Sequence, residues 1–365
     1  MTELNTEKYL ISLLKSTINN EAAPPLPEGM DCAALLKLAQ HHSVANTAYY
    51  ALEQLDVLST EQKKEWSQLR DMEIMRDIHQ QTEYDILCEA FSQEKICFLP
   101  LKGILIKSLY PQSDFRTMSD IDLLIDEANA EKVKEVMLSL GYEVDSMEFG
   151  VHDVYHKKPA VSIEVHRELF GDEGQEFAPL FEDPWSKCEK RSDTLYKFTP
   201  QYFFAYLLAH GIKHYQQGGT GIRTFMDIEI YRRHFGQQLD LNRLYDMFEK
   251  ASQRKLCEDF IKLSELWFGT AEDDGSLDSI ARYIISGGTY GTFENQVQYE
   301  LQSKSKVQYI MSKLFPNLQH MKQQYPVLKK APVLLPIMWL VRLVTKPFIN
   351  RKENAEKLKA LSKRK

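Results

Sequence analysis

Apolar side chains recur at helical spacing through the first hundred residues. Tyr9, Leu10, Leu13, Leu14 and Ile18 share one face. The run Ala22-Ala23-Pro24-Pro25-Leu26-Pro27 ends that helix, and Asp31 can cap the next, which carries Leu35, Leu36 and Leu38. A long, polar-rich helix is predicted over 60–94, with Leu69, Met72, Met75 and Ile78 at helical spacing. Its stripe lapses at Gln80-Gln81-Thr82 and resumes with Ile86, Leu87, Ala90 and Phe91. These helices are expected to bundle against the region that follows.

The pattern changes at Ile96. Residues 96–101 form a short apolar run that reads as a buried strand, ended by Lys102-Gly103. A short helix is predicted over 104–110, a polar loop over 111–119, a strand over 121–125 and an amphipathic helix over 131–140 closed by Gly141. Residues 142–144 and 161–166 are further strands. The strand–helix–strand–helix–strand order is that of an α/β arrangement. From Pro200 the spacing is helical again, over 202–215, 223–235, 241–251 and 256–268. The divisions expected are a helical region at 1–95, a sheet-containing core at 96–198, a helical domain at 199–330 and an apolar, basic tail at 331–365.

Length and composition narrow the classes. The 365 residues are 43% hydrophobic and 27% charged, as in ordinary globular proteins. The net charge of -7 gives no strong nucleic-acid signal. Five widely spaced cysteines without a CxxC pair support neither a zinc ribbon nor a disulfide framework. With no signal peptide visible at the N-terminus, a cytoplasmic protein is expected.

The sharpest chemical feature is Asp120-Ile121-Asp122 at the head of the apolar run Leu123-Leu124-Ile125. On a strand, residues i and i+2 share a face, which sets the two carboxylates about 6–7 Å apart at the backbone. Paired carboxylates repel unless a cation lies between them, and oxygen ligands on one edge suit Mg²⁺. A DxD pair also marks ordinary strand edges and loops. In Val161-Ser162-Ile163-Glu164-Val165-His166, Glu164 and His166 share one face, so Glu164 is a candidate third acid or a solvent-facing edge residue. Gly103 in the Lys102-Gly103 turn can let a phosphate approach the backbone. Arg116 can neutralise a phosphate or sit as a surface loop arginine.

Taken in order, Leu99-Pro100-Leu101-Lys102-Gly103, Leu109-Tyr110-Pro111, Arg116 and Asp120-Ile121-Asp122-Leu123-Leu124-Ile125 closely resemble a largely uncharacterised bacterial nucleotidyltransferase-like family. That family is assigned to the minimal nucleotidyltransferase fold of DNA polymerase β and the antibiotic nucleotidyltransferases. The resemblance continues through Ile163-Glu164-Val165-His166 and through Leu207, His210, Lys213, His214, Arg223 and Asp227. It is best from about residue 95 to 235. It implies an α+β fold with a small mixed sheet flanked by N- and C-terminal helical bundles.

The resemblance also implies an enzyme: a Mg²⁺-dependent nucleotidyltransferase that moves a nucleoside monophosphate from a triphosphate such as ATP to an unknown acceptor hydroxyl or phosphate. Asp120, Asp122 and Glu164 would be catalytic and hold two Mg²⁺ ions, for which Mn²⁺ can substitute. Lys102, Gly103, Arg116, Lys213, His214 and Arg223 would bind the nucleotide. The wider superfamily usually follows this glycine with Ser or Gly, whereas Ile104 stands here. Two alternatives are a DxD metal-dependent glycosyltransferase and a non-catalytic nucleotide-binding or scaffold module.

His210 and His214 lie at i and i+4, but Gly211 stands where a zinc-protease signature needs Glu. Asp227 follows Arg223 by four residues, which by itself suggests a helical ion pair. The stretch 332–348 is apolar but broken by Pro336 and Arg342, and short of the ~20 residues a membrane span needs. It reads as an amphipathic helix on a membrane surface, a helix on the protein's own bundle, or a partner-binding helix. Residues 342–365 carry nine Lys or Arg and two Glu, a net of +7, against -14 for residues 1–341. An acidic body must bind a triphosphate through metal and a few local cations.

Overall fold

The computed structural model describes residues 2–147, 152–159, 161–171 and 174–349. Four helices come first: α1 (Thr2–Asn19), α2 (Cys32–His41), α3 (Ala45–Leu55) and α4 (Thr60–Gln93). Asp31 caps α2 as its sequence predicts, accepting from the amides of Ala33 and Ala34. A reciprocal capping box between Ser59 and Gln62 starts α4.

Next come β1 (Phe98–Pro100), α5 (Gly103–Ile106), β2 (Ile121–Ile125), α6 (Ala130–Ser139), β3 (Glu143–Met147), β4 (His152–Lys157) and β5 (Val161–His166). The predicted helix over 104–110 is only one turn of α5, continued by a 3₁₀ turn at Lys107–Leu109. Gly141 follows α6 at φ +82, the left-handed conformation expected of a glycine at a helix end. Strand β4 and a hairpin of β6 (Cys188–Lys190) and β7 (Tyr196–Phe198) were not predicted. β4 reads His-Asp-Val-Tyr-His-Lys and so lacks alternation: its two apolar residues are neighbours, and its buried face includes Asp153.

The five strands lie in the order β1-β2-β5-β4-β3. Only β2 and β5 run parallel; the other neighbours are antiparallel. The sheet is therefore mixed and the fold α+β. Alternation sends Ile121, Leu123 and Ile125 to one face, where they pack with Ile163, Val165, Val133 and Met137 and with Leu87 and Phe91 of α4. Leu124 points the other way and joins Leu99 and Leu101 in a second core.

That second core is shared with α7 (Pro200–Gln216), α8 (Gly221–Phe235), α9 (Leu241–Lys250), α10 (Arg254–Phe268) and α11 (Asp278–Gly287). It also takes in Leu10, Leu13 and Leu14 of α1 and Leu52 of α3. The N- and C-terminal helices that flank the sheet thus bury their apolar stripes against each other in one shared core, a helical body. The chain continues through α12 (Phe293–Ser303), α13 (Lys306–Leu314), α14 (Leu318–Gln324), α15 (Val327–Lys330) and α16 (Leu335–Ile349).

One apolar stripe is not used as its spacing suggests. Met72, Met75 and Ile78 of α4 are exposed, while Trp66, Gln80, Leu87 and Phe91 are buried. Buried Gln80 explains the break in the pattern: its amide donates to the Met118 carbonyl at 3.1 Å.

Candidate active site

Residues 112–119, just before β2, are held by the N-terminal helices through side chain to backbone bonds. Asn46 donates to the Asp114 carbonyl at 2.6 Å, and Thr47 to the Phe115 carbonyl at 2.9 Å. Thr117 donates to the Ser43 carbonyl at 2.8 Å, and Gln80 holds Met118. Tyr50 adds a bond to the Asp114 carboxylate. This anchoring fixes the approach to Asp120, which stands one residue before β2.

Asp122 lies opposite Glu164 in the parallel β2–β5 register, and Leu124 lies opposite His166. Asp122, Glu164 and His166 therefore share the sheet face that looks toward the helical body. Their ligand atoms all lie within 4.8 Å of one another. The β2 end of β1 completes the arrangement. The Leu101 amide donates to the Asp122 carbonyl at 2.9 Å, which brings Lys102 alongside Asp122. Lys102 adopts φ 45 and ψ -120, a conformation a side-chain-bearing residue rarely takes. Its ammonium donates to Asp122 Oδ1 at 2.7 Å.

The same Oδ1 lies 2.8 Å from His166 Nε2, which in turn lies 3.5 Å from Glu164 Oε2. Burial works against charge on Asp122, yet Lys102 and His166 hold it well below the ordinary carboxylate range. Burial likewise opposes charge on Lys102 and His166, but Asp122 raises the proton affinity of both. A hydrogen bond from His166 lowers Glu164, against the effect of burial. The site is a buried network of acids partly compensated by the protein's own cations.

Asp120 behaves differently. Burial, then the neighbouring Asp122, push it from an ordinary 3.8 up to about 6, with Lys102 pulling the other way. Between those values the folded protein holds a proton on Asp120 that the unfolded chain has released. The Asp120 contribution to stability is therefore fully present below about pH 4 and falls as pH rises through about 6. Urea denaturation of the metal-free protein across that window is expected to show the fall, and Asp120→Asn to remove it. An identical pH slope in the variant would place its origin elsewhere.

Arg116 is not a free loop cation. It is buried, with Nε 3.1 Å from both carboxylate oxygens of Asp227 and Nη2 at 2.7 Å from Oδ2. Tyr110 donates to Asp227 Oδ1 at 2.7 Å. Asp227 thus serves Arg116 and Tyr110 across the fold, instead of pairing along α8 with Arg223. Arg223 donates to the Thr117 carbonyl at 2.8 Å and to the Thr117 hydroxyl at 2.9 Å. Burial and then Arg116 lower its pKa to about 10.

Gly103 has its own reason to be small. A Cβ there would stand 2.4 Å from the Met118 sulfur and 2.9 Å from Arg116 Nη1. That side of the turn is filled by the protein, so the glycine seats α5 against the anchored loop.

On α7, His210 Nε2 and His214 Nε2 are 3.0 Å apart. Burial holds both neutral, reinforced by Lys102 at His210 and by Lys213 at His214. Lys102 acts electrostatically on both histidines, so this end of α7 lies near the acid network. Lys213 packs its stem near Gly174.

The predicted residues Lys102, Asp120, Asp122 and Glu164 are thus brought together. Arg116 and Arg223 stand behind the loop, and Lys213 and His214 lie on the α7 side. His166 belongs to the network although sequence reading placed it only on the same face as Glu164. His152 on β4 was missed with its strand; its Nε2 lies 4.0 Å from Glu164 Oε2.

No curated protein matches the chain. Among solved structures, that of the antibiotic-resistance factor ANT(2'')-Ia, determined in solution, is similar over 49% of this chain and 93% of that chain. The identity is 11% and the TM-score 0.36, too loose a likeness to carry an argument. A family model described as an uncharacterised nucleotidyltransferase matches residues 28–269, from the helix-capping segment before α2 to the end of α10. That span holds every residue of the acid network and of the loop that positions it, and the chain belongs to the uncharacterised nucleotidyltransferase family.

Proposed function

We propose that the protein transfers a nucleoside monophosphate from a nucleoside triphosphate to an acceptor hydroxyl or phosphate, with Mg²⁺ as the metal. The observation that carries this reading is the facing of Asp122 and Glu164 across the parallel β2–β5 pair, with Asp120 at the strand head. The donor set fits a hard divalent cation: carboxylate oxygens are gathered on one rigid sheet face beside a turn. Asp120, Asp122 and Glu164 would hold it. Bound there, the cation supplies charge neutralisation for the triphosphate and for the departing pyrophosphate.

The chain's own groups account for the rest. In the transfer, an acceptor oxygen forms a bond to the α-phosphorus while the bond from that phosphorus to the pyrophosphate oxygen breaks. Lys102 keeps Asp122 ionised and places a fixed ammonium beside the phosphates. Asp120 would serve the cation as a ligand, and an acceptor hydroxyl would release its proton to solvent as the new bond forms. His210 and His214 of α7 set neutral imidazoles near the site. Arg223 supplies positive charge from the loop side.

One observation favours a second reading. Lys102 and His166 share Asp122 Oδ1, so the network is already compensated without metal. A nucleotide-binding module without turnover would show the same feature. Calorimetric titration of ATP, CTP, GTP and UTP with Mg²⁺ or Mn²⁺, followed by assays of pyrophosphate release with candidate acceptors, separates the two. Metal-dependent binding with pyrophosphate release supports transfer. Binding alone supports the module, and absence of all triphosphate binding overturns both.

A further inference from the structure

Helix α16 is apolar on both its covered and its solvent-facing side. Its covered side carries the polar anchors. Trp339 Nε1 donates to the Pro316 carbonyl at 2.9 Å, and its ring meets Phe315 edge-on at 5.4 Å. Arg342, the one charged residue in the middle of the helix, is buried. Its Nη1 donates to the Lys313 carbonyl at 2.8 Å and its Nε to Gln324 Oε1 at 3.3 Å.

The side turned to solvent is apolar. Ile337, Leu340, Val341 and Val344 are exposed, Leu340 by 64% and Val344 by 66%. Val333, in the turn before the helix, is 83% exposed. Thr345 shares this face, but its hydroxyl donates back to the Val341 carbonyl at 2.9 Å and so turns inward. α13 also exposes apolar residues at helical spacing, Val307, Ile310, Met311 and Leu314, around a buried Tyr309. A helix resting on its own protein normally directs the apolar stripe inward and charges outward. Here Leu335, Met338, Trp339 and Leu343 line the covered side with Arg342, yet the outer side is apolar as well, so that outer face awaits an apolar medium.

The sequence beyond the apolar face identifies the medium. After Arg342 the chain carries eight Lys or Arg against two Glu, on a body of the opposite sign. Apolar side chains followed at once by a basic segment form the two-part signal for an anionic bilayer surface: one part buries in the acyl boundary, the other binds lipid phosphates. No helix among the described residues is long and apolar enough to cross a membrane, so the helix lies along the surface.

We propose that α16 and the basic segment after it seat the protein on an anionic lipid surface. The net-negative body favours this orientation, because it is repelled by the surface that attracts the tail. The proposal does not rest on the nucleotidyl-transfer reading and needs no nucleotide to test.

The experiment is flotation of the full chain with vesicles of phosphatidylcholine alone or mixed with phosphatidylglycerol. The expected result is flotation with the mixed vesicles and little with phosphatidylcholine, weakened by added salt. The double substitution Leu340→Glu and Val344→Glu changes solvent-facing positions only and is expected to reduce binding at least about tenfold. Reversing Lys357, Lys359 and Lys363 to Glu is expected to do the same without touching α16. Circular dichroism confirms that each variant is folded, and the tail variant reads the proposal if the helix variant is not. No flotation with anionic vesicles, or flotation unchanged in the folded variants, overturns the proposal. So does a concentration-dependent dimer that Leu340→Glu dissociates while vesicles fail to bind, since a second copy would then cover the face.

Discussion

Asp122→Asn is expected to abolish Mg²⁺-dependent triphosphate binding while leaving the protein folded. Asp122 is the hub of the acid network: it faces Glu164 in register, and one of its oxygens meets both Lys102 and His166. Asparagine keeps the shape but not the charge, and its nitrogen cannot ligate a hard cation as an oxygen does. Changes one layer outside a metal site cost about 10–100-fold in metal affinity, so loss of a direct ligand should exceed about a hundredfold. The stability cost is smaller than for a simple broken pair. Orphaning a buried charge costs about 3–5 kcal/mol. Here His166 can release its proton, and Asp120, relieved of the repulsion from Asp122, ionises more readily beside Lys102. Calorimetry of Mg²⁺-triphosphate binding together with a thermal melt checks both halves. Undiminished binding in a folded variant would remove Asp122 from the site.

Much of this network was legible from local spacing. Asp120 and Asp122 at i and i+2, and Glu164 with His166, declare a shared face as soon as their strands are recognised, because pleating makes orientation a property of sequence. What spacing does not contain is partner choice across the chain. Asp227 follows Arg223 by four residues, yet it binds Arg116 and Tyr110, more than a hundred positions earlier. The helical body decides that pairing by burying all three groups together. Arg116 shows the consequence: a loop arginine in sequence became a buried structural cation. Gly103 shows the same limit, since its crowding comes from Met118 and Arg116 in the anchored loop. Apolar stripes mislead in a related way. Met72, Met75 and Ile78 share a helical spacing but have no surface above them, and on α16 the residue that interrupts the apolar run, Arg342, marks the buried side. Periodicity tells which residues lie together, whereas the neighbours decide which side is covered.

Asp227→Ala is expected to be among the most destabilising single changes around the acid network, without removing any residue of it. It strips the carboxylate from a buried guanidinium and leaves the Tyr110 hydroxyl without its acceptor. Arg116 cannot escape by losing its proton, unlike His166, so the charge stays buried and uncompensated. The expected loss is about 3–5 kcal/mol, read for a chain of this size as a fall in Tm of about 4–7 °C. Asp227→Asn should lie between wild type and Ala, because the amide oxygen still accepts from Arg116 or Tyr110. The double variant Arg116→Met with Asp227→Leu removes both charges and should recover much of the loss, since apolar replacement of a whole buried pair is often neutral. The pair also bears on the site. Arg116 packs on Gly103 and donates to the Thr117 carbonyl at 2.7 Å, so it ties the turn carrying Lys102 to the loop that precedes Asp120. Loss of Asp227 should therefore loosen the placement of Lys102 and Asp120 and weaken Mg²⁺-triphosphate binding more than the double variant does. If Asp227→Ala melts at the wild-type temperature, or the double variant is no more stable than the single one, burial of an uncompensated Arg116 is not what the pair prevents.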